Sequence, residues 1–263
     1  LTLTLVKLGG SLITDKRKKE FLEKKTLARL CKEIHSARKE KRIELVAGHG
    51  GGSFPHYPAH RYKVMQGIHN KNSLKGFALT NDAAARLNRI VVKELIKAGE
   101  NAVSVQPSAW LVAENGKVKA SFTEPIRTYL KNGLLPVPYG DAVADTKKGI
   151  AILSTEQILG EIAIKLKAER FIVVGRTRGV FTDDPLKNKK AEFIPLIDSH
   201  SYSSVERMLK GSYGKDVTGG MLHKVKQLMA LSRKGIKCQI ISGTKKGNLK
   251  KALLGESIGT IIQ

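Results

Sequence analysis

Two short apolar runs, Leu3 to Leu8 and Ile43 to Ala47, each close on glycine: the first on Gly9-Gly10, the second on Gly48-His49-Gly50-Gly51-Gly52. Between them Leu27, Leu30, Cys31 and Ile34 recur at the spacing of one helix face, with Lys and Arg opposite. The order is therefore strand, glycine turn, helix, strand, glycine turn. Strands that alternate with helices pair in parallel and need both sheet faces covered. The alternation continues. Leu87, Val91, Leu95 and Ala98 mark a long helix before a strand over Ala102 to Val105, and Leu134 to Pro138 reads as another strand. A helix near Ile158 to Leu166 precedes a strand over Phe171 to Val174, and Met221, Val225, Leu228 and Met229 mark a further helix. A strand over Cys238 to Ile241, a short helix and a strand over Ile258 to Ile262 close the chain. The pattern predicts an α/β fold, a three-layer αβα sandwich around a mostly parallel sheet. A softer division after Gly140-Asp141 predicts two lobes of one continuous domain, residues 1–141 and 142–263, with a cleft at the strand carboxyl ends.

The chain has 263 residues, 41% of them hydrophobic, which is enough to build a core without metals or disulfides. Two cysteines, Cys31 and Cys238, are too few for a disulfide framework or a structural zinc site, so a reducing cytoplasmic setting is expected. The opening run of six residues is short for a signal-peptide core, and no apolar run approaches the ~20 residues of a membrane span. No membrane role and no resident metal ligand set are expected. Subtracting 23 Asp and Glu from 47 Lys and Arg leaves a net charge of +24, which points to anionic partners. Between Lys16 and Arg42 stand twelve Lys or Arg against four Glu, yet only seven Phe, six Tyr and one Trp offer stacking surfaces, and no nucleic-acid motif occurs. The charge by itself does not choose between nucleic acid, an anionic membrane and small phosphorylated molecules, but the scarce stacking surfaces and absent motifs weigh against a dedicated nucleic-acid role.

Each glycine turn stands at a strand end and leads towards a helix, where unpaired N–H groups and the helix dipole favour an anion. Lys7 precedes the first turn, Lys7-Leu8-Gly9-Gly10-Ser11, and Lys16 follows it. Lysines on both sides of a phosphate cradle offset charge on transferring oxygens, although this loop read alone equally suits a plain turn. The second turn runs on through Ser53, Phe54 and Pro55 to His56. Three consecutive glycines cost backbone entropy beyond what a turn requires. No G-x-G-x-x-G or G-x-x-x-x-G-K-[ST] string fits, so the nucleotide folds those strings mark are not indicated. An imidazole at His56, just past the loop, can donate to an acceptor phosphate.

Five segments taken together carry a resemblance: Lys7 to Lys16, His49 to Phe54, Tyr139-Gly140-Asp141, Asp216-Val217-Thr218-Gly219-Gly220-Met221 and Gly255 to Thr260. In order and spacing they resemble the amino acid kinase superfamily, and within it the isopentenyl phosphate kinases, with the fosfomycin kinases sharing much of the pattern. The resemblance implies in-line transfer of the ATP γ-phosphoryl group to the phosphate of isopentenyl phosphate. It further implies Mg2+ with the ATP, a homodimer, and no covalent enzyme intermediate. Carried over by motif, Lys7 would sit at the β/γ bridge, Lys16 on the γ-phosphate and Lys224 on the nucleotide phosphates. His56 would hold the acceptor. Gly9, Gly10, Gly50, Gly51 and Gly52 would supply N–H groups, with Ser11 on the nucleotide side and Ser53, Gly140 and Asp141 on the acceptor side. Asp216, Thr218 and Gly219 would help bind the nucleotide.

Three departures stand out. Pro55 replaces a glycine before the matched histidine; Ser154-Thr155-Glu156-Gln157 stands where Ser-Gly-Asp-Asp is usual; and Arg176 and Arg178 replace two acids in the nucleotide half. Glu156 would keep the carboxylate that organises the lysines, and the arginines would grip phosphate. Two other readings compete. A fosfomycin or phosphonate kinase would need a small acceptor pocket, whereas a prenyl tail needs apolar walls, for which Leu74, Phe77, Ala78 and Leu87 are candidates. A catalytically weak anion-binding relative would also account for the charge and the lost acids.

Overall fold

The computed structural model describes residues 2–15, 17–185, 187–212 and 220–263, with the backbone alone at 211 and 212. In the first half, β1 (Leu3–Leu8), α1 (Gly10–Ile13), α2 (Lys24–Glu40), β2 (Glu44–His49), α3 (Ser53–Arg61), α4 (Ser73–Lys97) and β3 (Ala102–Ser104) follow in turn. Next come β4 (Leu111–Glu114), β5 (Lys117–Ser121), α5 (Glu124–Lys131), β6 (Leu135–Val137), β7 (Asp141–Asp145) and β8 (Gly149–Leu153). The second half holds α6 (Thr155–Lys165), β9 (Arg170–Gly175), β10 (Val180–Phe181), β11 (Phe193–Ile194), β12 (Leu196–Ile197) and α7 (Tyr202–Ser212). It closes with α8 (Gly220–Ser232), β13 (Lys237–Ser242), α9 (Asn248–Leu254) and β14 (Thr260–Ile262).

The main sheet has the order β12-β14-β13-β9-β1-β2, parallel throughout except where β14 runs against β13. Side chains alternate across it. Val6, Leu8, Leu45, Ala47, Ile172, Val174 and Ile241 share a buried cluster with residues of α2, α4 and α9. Leu3, Leu5, Val46, Phe171, Val173, Cys238 and Ile240 share another with residues of α6 and α8. Successive residues of one strand thus bury on opposite faces, which gives the αβα sandwich its apolar central strands. A parallel bridge between His49 and Tyr139 attaches the β3-β6 pair beyond β2.

The sequence reading did not anticipate a second sheet, β5-β4-β7-β8, whose β4–β5 and β7–β8 pairs are antiparallel. The β4–β5 turn is Asn115-Gly116, with φ of 51° and 74°, the primed geometry that matches strand twist in a two-residue hairpin. Trp110 stands just before β4, partly buried against the core, and its indole N–H meets no acceptor among the described residues. Asp141 opens β7, so the β7–β8 hairpin runs across the expected division after that residue, and β1 and β2 from the first half lie in the main sheet beside β9 and β13. No helix among the described residues is long and apolar enough to cross a membrane.

Candidate active site

Both glycine turns leave the carboxyl ends of neighbouring parallel strands, β1 and β2, and so emerge side by side. Their backbones touch. A β-carbon on Gly10 would lie 2.4 Å from the Gly52 nitrogen, and one on Gly50 would lie 2.8 Å from the Gly10 nitrogen. No side chain fits between them, which explains why glycine is required on each side. The sheet takes part of each turn: Gly9 N–H donates to Val174 O at 2.8 Å and Gly50 N–H to Leu8 O at 2.9 Å. The expectation that all five glycines offer N–H groups therefore fails at Gly9 and Gly50, whose donors complete the strand ladder. The N–H groups of Gly10, Ser11, Gly51 and Gly52 donate to no acceptor among the described residues. Two pairs of N–H groups without an acceptor among the described residues thus stand on adjoining turns, an arrangement that can receive phosphate oxygens.

Beneath the second turn lies a polar cluster. The His49 ring is fully buried and stacked on Tyr139, 5.7 Å between centroids and 9° between planes. Its Nδ1 lies 3.2 Å from Gly50 O, and Asn88 Nδ2 lies 3.1 Å from its Nε2. A carbonyl on one side and an amide donor on the other select the neutral Nδ1–H tautomer. Burial lowers the His49 pKa to about 4, with Lys7 acting in the same direction and the Gly50 bond opposing. The His49 carbonyl accepts from Thr155 Oγ1 at 2.8 Å and from Gly140 N–H at 3.3 Å. Sequence reasoning passed over His49 in favour of His56. The sequence placed it inside the glycine run, but only the fold brings Asn88 and Tyr139 to its ring.

Lys7 is buried at the end of β1 and its ammonium pairs with Glu156, which is also buried. Ser154 and Gln157 form a reciprocal capping box that starts α6 and sets Glu156 in the first turn, so the Ser154-Thr155-Glu156-Gln157 departure builds a complete helix start. Burial pushes the Glu156 carboxyl upward, but the ammonium groups of Lys7 and Lys224 outweigh it and hold the pKa below its usual range. One carboxylate thus answers to two lysines.

The sequence profile of the amino acid kinase family matches residues 2–242. The chain belongs to the amino acid kinase family. It is 36% identical over 261 residues to an isopentenyl phosphate kinase of Methanothermobacter thermautotrophicus, covering 97% of this chain and 96% of that one. An isopentenyl phosphate kinase of Methanocaldococcus jannaschii is 35% identical over 268 residues, covering 99% and 98%. A crystal structure of an isopentenyl phosphate kinase superposes with a TM-score of 0.85 at 33% identity, covering 99% of this chain and all of that one.

Other residues of this amino acid kinase take varied places. His56 is half-buried in the first turn of α3. Ser53 Oγ accepts from Phe21 N–H at 3.1 Å, so that hydroxyl holds a neighbouring segment. Asp141 is buried and accepts from Asn81 Nδ2 at 3.0 Å, Ser108 N–H at 3.1 Å and its neighbour Ala142 N–H at 2.8 Å. Burial raises its pKa to about 6, against those hydrogen bonds. The two arginines separate: Arg178 lies over the Phe193 ring at 4.2 Å, whereas the exposed Arg176 forms no ion pair among the described residues. Leu74, Phe77, Ala78 and Leu87 do not make one wall, because Leu87 is fully buried in the core while Leu74 and Ala78 are exposed. Lys16, Asp216, Thr218 and Gly219 lie outside the described residues.

Proposed function

We propose that this chain transfers the γ-phosphoryl group of ATP to isopentenyl phosphate, giving isopentenyl diphosphate and ADP, a step of isoprenoid biosynthesis. The observation that carries the reading is the backbone contact between the two glycine turns, which puts two sets of free N–H donors side by side with Lys7 beneath them. The relatives named above support the acceptor. An ionised phosphate is already a nucleophile at neutral pH, so no strong base is needed and the work is alignment and charge neutralisation.

In this reading Gly10 and Ser11 receive the nucleotide phosphates, with Gly9 shaping the turn, and Gly51 and Gly52 receive the acceptor, with Gly50, Ser53, Gly140 and Asp141 shaping that side. Lys7 and Lys16 neutralise the bridging and transferring oxygens, Glu156 aligns Lys7 and Lys224, and His56 donates to the acceptor phosphate. Asp216, Thr218, Gly219 and Arg176 serve the nucleotide, while the Arg178 guanidinium is taken up by the Phe193 ring. Residues 1–141 chiefly hold the acceptor and 142–263 the nucleotide, with the β7–β8 hairpin shared between the two sides.

Mg2+ enters with ATP as part of the substrate. Among the described residues no cluster of His, Cys, Asp or Glu suits a metal, and the buried carboxylate of Glu156 is paired with Lys7. Magnesium is commonly held largely by substrate phosphates and water, which fits a site made of lysines and N–H groups. The working form is a cytoplasmic homodimer, a state that sedimentation of the purified protein tests. The function is tested by ADP release and product detection with isopentenyl phosphate, dimethylallyl phosphate, geranyl phosphate and fosfomycin. Preference for fosfomycin would replace the reading with phosphonate phosphorylation, and no transfer to any acceptor would leave an anion-binding relative.

A further inference from the structure

The structure assigns Thr14 as a positioning residue that sets the separation of the two glycine turns. Thr14 is the first residue after α1 and is buried, 1% exposed. Its hydroxyl donates to Gly10 O at 2.7 Å and accepts from Ser53 N–H at 2.9 Å. One oxygen atom therefore joins the turn after β1 to the first residue of the helix after β2. It also fills the space beside Gly52, where a β-carbon would lie 2.1 Å from Thr14 Oγ1. The isolated bridge between Thr14 and Leu22 fixes its backbone from the other side. The two turns touch through their backbones, and this hydroxyl bonds to both.

The inference rests on the phosphoryl-transfer reading, in which one turn carries the donor and the other the acceptor. In-line transfer needs the reacting atoms at about 3–3.5 Å and aligned, and a misplacement of about 1 Å can cost a hundredfold in rate. Thr14 touches neither substrate. It acts through Gly10 and Ser53, so its loss disturbs the relative placement of two bound phosphates more than the binding of either.

Three substitutions test this. Thr14→Val keeps the branched shape and removes the hydroxyl, Thr14→Ser restores the hydroxyl, and Thr14→Cys puts a larger and weaker donor in its place. Steady-state rates with ATP and isopentenyl phosphate should show kcat lower by at least about tenfold in Thr14→Val, with each KM within about threefold, the signature of an interaction lost in the transition state. Thr14→Ser should recover kcat to within about threefold of the parent, and Thr14→Cys should fall between the two. Wild-type kcat in a folded Thr14→Val or Thr14→Cys protein overturns the assignment. So does a loss confined to one KM, or a Thr14→Ser protein as slow as Thr14→Val. If Thr14→Val fails to fold, Thr14→Ser and Thr14→Cys decide by the same criteria. Absence of transfer by the unaltered protein would instead refute the functional reading, before any variant is made.

Discussion

The two glycine turns begin alike and end differently. Each leaves a parallel strand, gives one N–H to the sheet and keeps two free. The turn after β1 is accompanied by buried charge, the Lys7 ammonium against Glu156. The turn after β2 rests on a neutral, stacked imidazole, and the Pro55 ring presses on it so closely that a β-carbon at Gly51 would lie 2.3 Å from Pro55 Cγ. In the proposed reaction, charge that develops between phosphates would be met from one side by a lysine held in place, and from the other by a rigid backbone shape. Pro55, which removes an N–H and fixes φ, suits the second role: it stiffens a turn whose three glycines would otherwise be costly to order.

The largest test of this contrast is Lys7→Met. It should lower turnover by at least about a hundredfold. It should also destabilise the fold by about 3–5 kcal/mol, because Glu156 is left buried with its direct partner gone. Adding Glu156→Met should bring the urea midpoint back towards the parent value while turnover stays low; recovery of both would break the distinction between charge and shape. Gly10→Ala forces a methyl group into the Gly52 backbone and should cost about 1–3 kcal/mol together with most of the transfer rate. Gly175→Ala, which meets nothing within 4 Å, should melt and react like the parent. On the acceptor side, His56→Ala should slow transfer roughly tenfold and leave the KM for ATP alone; a raised KM for ATP would move His56 to the other turn.

A smaller effect comes from pH. Asp141 keeps its proton in the native state up to about 6, so it removes stability as pH rises from about 4 to about 6. His49 stays neutral down to about 4, so it adds stability as pH rises from about 4 to about 6.5. These slopes oppose. In Asp141→Asn the His49 contribution should emerge, and the urea midpoint should climb with pH across that window more steeply than in the parent; parallel profiles would count against the buried-acid account. The smallest change is expected from Arg178→Ala. Its guanidinium lies on Phe193, and an exposed contact of that kind is worth under ~1 kcal/mol, so the KM for ATP should move by no more than about fivefold. Arg176→Ala should raise that KM more, which would sharpen the division of the pair.

Much of this architecture can be read from the chain because parallel strands are continuous apolar runs and their turns are marked by glycine. Leu3 to Leu8 and Phe171 to Val174 became β1 and most of β9 with little displacement. The antiparallel sheet was harder, since Leu111 to Ser121 mixes Lys, Glu and Ala, and β5 is largely exposed. Its signal was Asn115-Gly116, a hairpin turn between short alternating runs. At the site, the glycines and Lys7 were legible by type and place. His49, Asn88 and Thr14 were not, because their roles depend on hydrogen bonds to backbone atoms brought near by folding.

Trp110 has a practical consequence. It is the only tryptophan in the chain, it packs against the core beside the antiparallel sheet, and the residue two before it, Ser108, bonds to Asp141. Intrinsic fluorescence excited at the indole therefore watches one place, the side assigned to the acceptor, while far-ultraviolet dichroism sums the helices of both halves. Superimposable denaturation curves from the two signals would mean that the antiparallel sheet melts with the main one. An earlier fluorescence change would mean that the acceptor side comes apart first, and that the dye-free emission of one residue is enough to follow it.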